Sequence, residues 1–121
     1  MTNTTDNIAL VLDELDNAKR KHPHFVDRFI KCTESVADML LTEARTALGH
    51  AKDCKLVDFR HVLGCECYEA FQAYAHGDLA HARQELAQCA AICIRGIEYV
   101  QSEIDKQNTK QPTTTQGETT P

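Results

Sequence analysis

Apolar residues recur at every third or fourth position along most of this chain, which is the spacing expected of amphipathic α-helices. The pattern predicts four helices, over about residues 6–21, 26–51, 57–76 and 79–106. None of these segments shows the alternation typical of strands. We therefore expect an all-α protein with a four-helix up-down arrangement.

The boundaries of the first two helices follow from capping and proline signals. Asp6 is placed to cap the first helix, and Pro23 should end it near His22, because a residue before proline avoids the α region. The second helix carries an apolar stripe formed by Phe29, Val36, Met39, Leu40, Ala44 and Ala47.

The last two helices are joined by only a few residues, His76-Gly77-Asp78. Gly77 suits the left-handed position that ends a helix, and Asp78 can cap the next one. Two long helices with so short a connection form an antiparallel hairpin.

Each helix of the hairpin has a predicted inner face. On the third helix this face consists of Phe59, Leu63, Cys67, Ala70 and Tyr74. On the fourth, a seam of the coiled-coil type consists of Leu79, Ala82, Leu86, Cys89, Cys93, Gly96 and Val100. The small residues among them permit a close approach of the two helices.

The ends of the chain differ from its middle. Residues 107–121 are mainly Thr, Gln, Pro, Lys and Gly without an aliphatic side chain, which predicts a disordered polar tail. We also expect a flexible N-terminus over residues 1–5, which leaves one all-helical domain over residues 6–106.

Composition limits the core and the partners. The 121 residues are 42% hydrophobic and include no Trp, so the core is modest, and we expect a homodimer or higher oligomer through the hairpin and the second helix. The net charge of −5 and the lack of a basic stripe argue against duplex nucleic acid. Neither a signal peptide nor an apolar run of about 20 residues is present, so we expect a cytoplasmic protein with no membrane partner.

Six cysteines are expected to be reduced thiols in that location. Cys67, Cys89 and Cys93 suit small core positions, whereas Cys32 and Cys65 are candidates for exposed, reactive thiols. Zinc is disfavoured because no C-x-x-C pair occurs.

Three glutamates mark the place where chemistry is most plausible. Glu66 and Glu69 lie on one side of the third helix, and Glu85 flanks the seam of the fourth. Glu69 and Glu85 are each eight residues from Gly77, so an antiparallel hairpin places them at the same level. Like charges at a helix interface are costly unless something neutralises them, and a hard cation such as Mg²⁺ would do so.

These residues carry a resemblance to a known family. The stretch Cys65-Glu66-Cys67-Tyr68-Glu69 followed by Glu85-Leu86-Ala87-Gln88 resembles the E-E-x-x-E and E-x-x-D boxes of the all-α nucleoside triphosphate pyrophosphohydrolases, the MazG-like superfamily. The resemblance covers about residues 60–100. It implies that Glu66, Glu69 and Glu85 hold Mg²⁺, which binds a triphosphate while water attacks a phosphorus and pyrophosphate leaves.

Two positions depart from that family pattern. Cys65 stands where the family has its first Glu, and Gln88 stands where it has Asp. Both changes should weaken Mg²⁺ binding and water activation. The sequence is therefore compatible with a divergent hydrolase of weak or lost activity, and also with a non-catalytic helical protein that binds a nucleotide or a protein partner.

Arg83 and Arg95 are candidate contacts for a substrate phosphate, although both could instead pair with Glu on the helix surface. The three glutamates themselves could also be solvated neighbours of a core stripe.

Overall fold

The computed structural model describes residues 3–110, which form four α-helices. Helix α1 spans Thr4–Lys21, α2 spans Glu34–Cys54, α3 spans Phe59–Ala75 and α4 spans Leu79–Lys110. The all-α prediction is confirmed. None of the helices in this part of the chain combines the length and the apolar character that a bilayer crossing requires.

The helices pack as a row in the order α2, α3, α4, α1. Helix α3 packs against α2 and α4, while α1 makes a smaller contact with α4. The start of α1 is tied to α4 by a hydrogen bond from Thr4 Oγ1 to Glu98 Oε2 at 2.6 Å. Because α3 has a neighbour on each side, it organises the core.

The core is built from small side chains. Its buried hydrophobic members are Ala37, Leu41, Ala51, Cys65, Ala70, Ala73, Ala82 and Cys89. Within the described residues, Leu41 is the one large side chain that is almost fully buried, at 1% exposure. Small side chains let the helix axes approach closely, but they bury little apolar surface.

The single inner face predicted for α3 is therefore only partly right. Ala70 is buried as expected, but Phe59 is 46% exposed, and Cys65 and Ala73 are buried outside the predicted stripe. A helix between two neighbours buries residues on two sides, which one stripe cannot represent.

The predicted seam of α4 is rotated in the structure. Ala82 and Cys89 are buried as expected, and Glu85 is buried between them. Four of the other five predicted seam positions are exposed, namely Leu79, Leu86, Cys93 and Val100, while Gly96 is half-buried. The backbone of α4 thus approaches α3 along its small residues and leaves the bulky ones at the flank.

Helix α1 begins earlier than the capping signal suggested. Its N-cap is Asn3, whose side chain accepts a hydrogen bond from the backbone N–H of Asp6 at 2.9 Å. Asp6 is the third helical residue and reaches back to the Asn3 N–H, which completes a capping box. The helix ends at Lys21, two residues before Pro23, as predicted.

Helix α2 begins at Glu34 rather than near Val26, so that prediction was wrong. The Thr33 hydroxyl caps it by accepting from the Val36 N–H at 3.2 Å. Phe29 lies in the preceding connector and still reaches the core, with its ring centroid 5.0 Å from that of Tyr74. The apolar signal at residues 26–30 was therefore real, but it belongs to a connector rather than to a helix.

The turn between α3 and α4 matches its prediction. Gly77 has φ +82°, and the N–H groups of Gly77 and Asp78 donate to Tyr74 and Ala73 carbonyls at 2.9 Å. The Asp78 carboxylate caps α4 by accepting from the His81 N–H at 3.1 Å. Helix α4 continues past its expected end at Lys106 to Lys110, and the rest of the predicted tail, residues 111–121, lies outside the described residues, as do residues 1 and 2.

Candidate functional site

Three carboxylates from α3 and α4 meet beside the hairpin interface. One oxygen from each of Glu66, Glu69 and Glu85 lies within 4.8 Å of the other two. Since Mg²⁺ and Ca²⁺ hold oxygen ligands at about 2.0–2.6 Å, ligands of one ion are separated by up to about 4–5 Å. The predicted convergence of the three side chains is confirmed, and their role as metal ligands stays a prediction.

Glu85 is the most unusual member of this carboxylate cluster (Glu66, Glu69 and Glu85). The residue is only 7% exposed, although a charged side chain is rarely buried without a partner. Its Oε2 accepts a hydrogen bond from His81 Nε2 at 3.1 Å, one turn earlier on α4. Its Oε1 is buried and has no hydrogen-bond partner among the described residues. A buried acceptor of this kind costs free energy unless a ligand satisfies it.

The electrostatics of Glu66 reflect the same crowding. Burial, followed by the charges of Glu69 and Glu85, raises the pKa of the Glu66 carboxyl. Only a protonated Glu66 can hydrogen-bond to these two carboxylates, which raises its pKa further; when all three acids are ionised, Glu85 Oε1 has no such partner. The crowding of the three acids therefore disfavours ionisation of Glu66, and a bound divalent cation would favour it.

A fourth residue of the site comes from α2. Arg45 Nη2 donates to Glu69 Oε2 at 3.2 Å, and its side chain is 59% exposed. Helix α2 is held at this level by Cys65, whose thiol donates to the Ala44 carbonyl at 3.5 Å. No local motif identified Arg45 in the sequence, because only the packing of α2 on α3 brings it to Glu69.

Cys65 and Gln88, the two departures from the metal boxes, supply no carboxylate to the cluster. Cys65 is buried against α2, so the prediction of an exposed, reactive thiol was wrong. Burial, followed by the charge of Glu69, raises the pKa of that thiol, which keeps it protonated and inert. Gln88 is exposed on α4. The cluster consequently has three carboxylates and no fourth acid from either box position.

Arg83 and Arg95, the predicted phosphate contacts, are both exposed. Arg83 is two residues before Glu85, which places it about 160° around α4, on the opposite side. Arg95 is ten residues after Glu85, about 15 Å further along the axis. Helical geometry therefore brings neither guanidinium to the carboxylates.

His81 was also missed as a site residue, although its spacing could have revealed it. It lies four residues before Glu85, at the separation that places two side chains on one helix face. Its hydrogen bond fixes Oε2 of Glu85 and leaves the buried Oε1 without a partner in the described chain.

The remaining thiols at the hairpin do not form a metal-binding group in the described residues. Burial, followed by a hydrogen bond with Cys67, raises the pKa of the Cys89 thiol to about 12. Cys89 is a buried core residue as predicted, but Cys93 is exposed, and its core prediction was wrong.

Comparison with known proteins identifies no relative. No protein-family model, no curated protein and no solved structure matches the chain. The case for a function therefore rests on the geometry of the carboxylate cluster and on the spacing of its residues.

Proposed function

We propose that Glu66, Glu69 and Glu85 bind a divalent cation, with Mg²⁺ as the natural occupant, and that the cation binds the phosphates of a nucleoside triphosphate. The observation that supports this most strongly is Glu85 Oε1, a buried acceptor without a partner beside two further carboxylates. Oxygen-only ligands favour a hard cation over zinc or copper.

The reaction we propose is that of the MazG-like pyrophosphohydrolases, which the hairpin resembles in the spacing of its glutamates. Bound at the cluster, Mg²⁺ would offset phosphate charge and make the phosphorus more susceptible to attack by water. The chain's own residues orient the ligands: His81 fixes one oxygen of Glu85, and the Gly77 turn keeps Glu69 and Glu85 at one level.

A non-catalytic nucleotide-binding protein is the second candidate. Cys65 faces the α2 backbone and Gln88 carries no charge, so the site offers three carboxylates in place of the five acids of the two boxes. A site of this composition can bind a cation with its nucleotide and still turn the nucleotide over slowly or not at all.

Cation binding is tested by titrating Mn²⁺, a paramagnetic substitute for Mg²⁺, and measuring free Mn²⁺ by electron paramagnetic resonance. We expect Glu85→Gln to weaken binding at least about tenfold, because a charged ligand is lost. Glu103→Gln, at an exposed site in the last third of α4, is the matched control and should bind like the wild type.

Folding of the variant is checked by thermal unfolding without metal. There we expect Glu85→Gln to be as stable as the wild type or more stable, by up to about 1–2 kcal/mol, since a buried charge among like charges becomes neutral. Wild-type protein that is helical but does not bind Mn²⁺ would contradict the cation site. Binding without pyrophosphate release from a panel of nucleoside triphosphates would favour the non-catalytic candidate.

We also propose that the chain self-associates. Apolar residues on α1 recur at helical spacing and yet are exposed, namely Ile8, Val11, Leu12 and Leu15. The buried residue of α1 is Asn7, whose Nδ2 has no hydrogen-bond partner within residues 3–110. The contact of α1 with α4 thus leaves the apolar side of α1 available to a second copy, in addition to the hairpin and α2 surfaces expected from the sequence.

A further inference from the structure

Arg45 stands at the open edge of the carboxylate cluster. Its side chain is 59% exposed, whereas that of its partner Glu69 is 26% exposed. The guanidinium therefore lies on the solvent side of the carboxylates, which is where a ligand bound to a cation at the cluster would extend.

The hydrogen-bonding capacity of Arg45 is largely unused. A guanidinium has five N–H donors, and in the described chain Arg45 makes one hydrogen bond, from Nη2 to Glu69 Oε2 at 3.2 Å. An exposed ion pair of this kind contributes little to the stability of the fold. The accessible donors are thus available to an anion that approaches the cluster.

A cation bound at the cluster would also weaken the ion pair between Arg45 and Glu69. The cation and the guanidinium would share the negative charge of one carboxylate, so the guanidinium could bind a second anion more favourably. The phosphate of a metal-bound nucleotide is such an anion, and its tetrahedral oxygens match the planar fork of Arg.

We propose that Arg45 binds the phosphate chain of the metal-bound nucleotide, in the role that the sequence assigned to Arg83 and Arg95. This inference rests on the proposed cation site. Arg45 reaches the site from α2, so nucleotide binding would join α2 to the α3–α4 hairpin through one phosphate group.

The test uses the full chain, saturating Mn²⁺ and inorganic triphosphate as the probe, with binding measured by calorimetry. We expect Arg45→Gln to weaken triphosphate binding at least about tenfold, since a charged hydrogen bond is lost. Arg45→Lys should show a smaller loss, because it keeps the charge and loses the fork. Mn²⁺ affinity in the absence of triphosphate should be unchanged or higher in both variants.

Arg20→Gln is the matched control. Arg20 is 64% exposed and pairs with Asp16 on α1, at 3.6 Å, so the substitution removes a similar surface ion pair away from α2 and α3. This variant should bind Mn²⁺ and triphosphate like the wild type.

Two results would overturn the role of Arg45 while leaving the cation site standing. One is triphosphate binding by Arg45→Gln that equals the wild type. The other is a parallel loss of Mn²⁺ and triphosphate affinity in that variant, which would show that Arg45 only orients Glu69. Absence of Mn²⁺ binding in the wild type is a separate result, and it would remove the proposed function and this inference together.

Discussion

At the scale of single residues, the close packing of the hairpin is clearest at Gly96. A Cβ atom at this position would lie 2.7 Å from Phe59 Cε1 and 3.0 Å from Cζ, so the ring occupies the space of a side chain. Phe59 is the first residue of α3 and is 46% exposed. The ring could swing outward, but it would lose its contact with α4.

We expect Gly96→Ala to stabilise the protein less than Gly64→Ala. Both glycines lie inside helices, where Ala is favoured by up to about 1 kcal/mol. A Cβ at Gly64 meets nothing within 4 Å, so the whole gain should be realised there, whereas at Gly96 displacement of the ring should cancel it. Urea unfolding followed by circular dichroism measures both, and equal gains would show that the Phe59 ring is not packed on Gly96.

The glutamates of the site could be predicted residue by residue because they depend on helical spacing and on one turn. The burial of Glu85 could not, since it follows from the rotation of α4 toward its small residues. The role of Arg45 could not be predicted from the sequence either, because its partner Glu69 is 24 residues away and on another helix.

At the scale of elements, a polar lock holds the start of α2 against the end of α3. His76 Nε2 lies 2.7 Å from Asp38 Oδ1, and His76 Nδ1 lies 3.3 Å from Glu34 Oε1. Gln72 donates to the same Asp38 oxygen at 2.8 Å. The hydrogen bond that His76 donates to Asp38 raises the pKa of His76. The same bond, followed by the one that Gln72 donates, lowers the pKa of Asp38.

The lock should make stability depend on pH. A raised histidine pKa stabilises the fold fully below the unfolded value of 6.5, and the effect is lost as pH rises through the folded value. A lowered aspartate pKa stabilises the fold above 3.8, and the effect is lost as pH falls through the folded value. The contribution is therefore greatest between these two unfolded values.

We expect His76→Gln to lower the Tm more at about pH 5.5 than at about pH 8.5, because the contribution of the raised His76 pKa decreases as the pH rises. Differential scanning calorimetry at both pH values measures the difference. His24→Gln, an exposed position in the connector before α2, is the matched control and should show no such pH dependence. An equal decrease in Tm at both pH values would show that the charge of His76 does not contribute to the polar lock.

The elements with the clearest local signals were predicted best. The Gly77 turn and the Asp78 cap fixed the boundary between α3 and α4, because both act over a few residues. The predicted start of α2 was wrong because Phe29 was assigned to the apolar stripe of a helix. Phe29 instead lies in a connector and packs against Tyr74 of α3.

At the scale of the whole molecule, the small core limits the stability of a single chain. The row of helices buries mainly Ala and Cys, while large apolar residues remain exposed on α1 and on the flank of α4. Burial of apolar surface contributes about 25 cal/mol per Å², so covering these residues would be a substantial gain. This is the physical basis for the proposed self-association.

We expect the wild type to have a mass in solution of at least twice the 13.6 kDa of one chain, measured by light scattering after gel filtration. Leu12→Glu places a charge in the apolar row of α1 and should shift the protein toward the monomer. Leu56→Glu, at a 69% exposed position in the connector between α2 and α3, is the control and should not. A monomeric wild type would contradict the proposal, and an unchanged mass for Leu12→Glu would place the contact elsewhere.

The turn at Gly77 has a consequence for changes in chain length. One residue inserted in a helix between Glu69 and Glu85 would rotate one carboxylate by about 100° away from the other, and four would restore its direction but displace it by about 6 Å. A short insertion or deletion in either helix between them therefore cannot preserve both the direction of the two carboxylates and their common level along the hairpin. The connectors over residues 22–33 and 55–58 lie outside this interval, so their length can vary without changing how Glu69 meets Glu85.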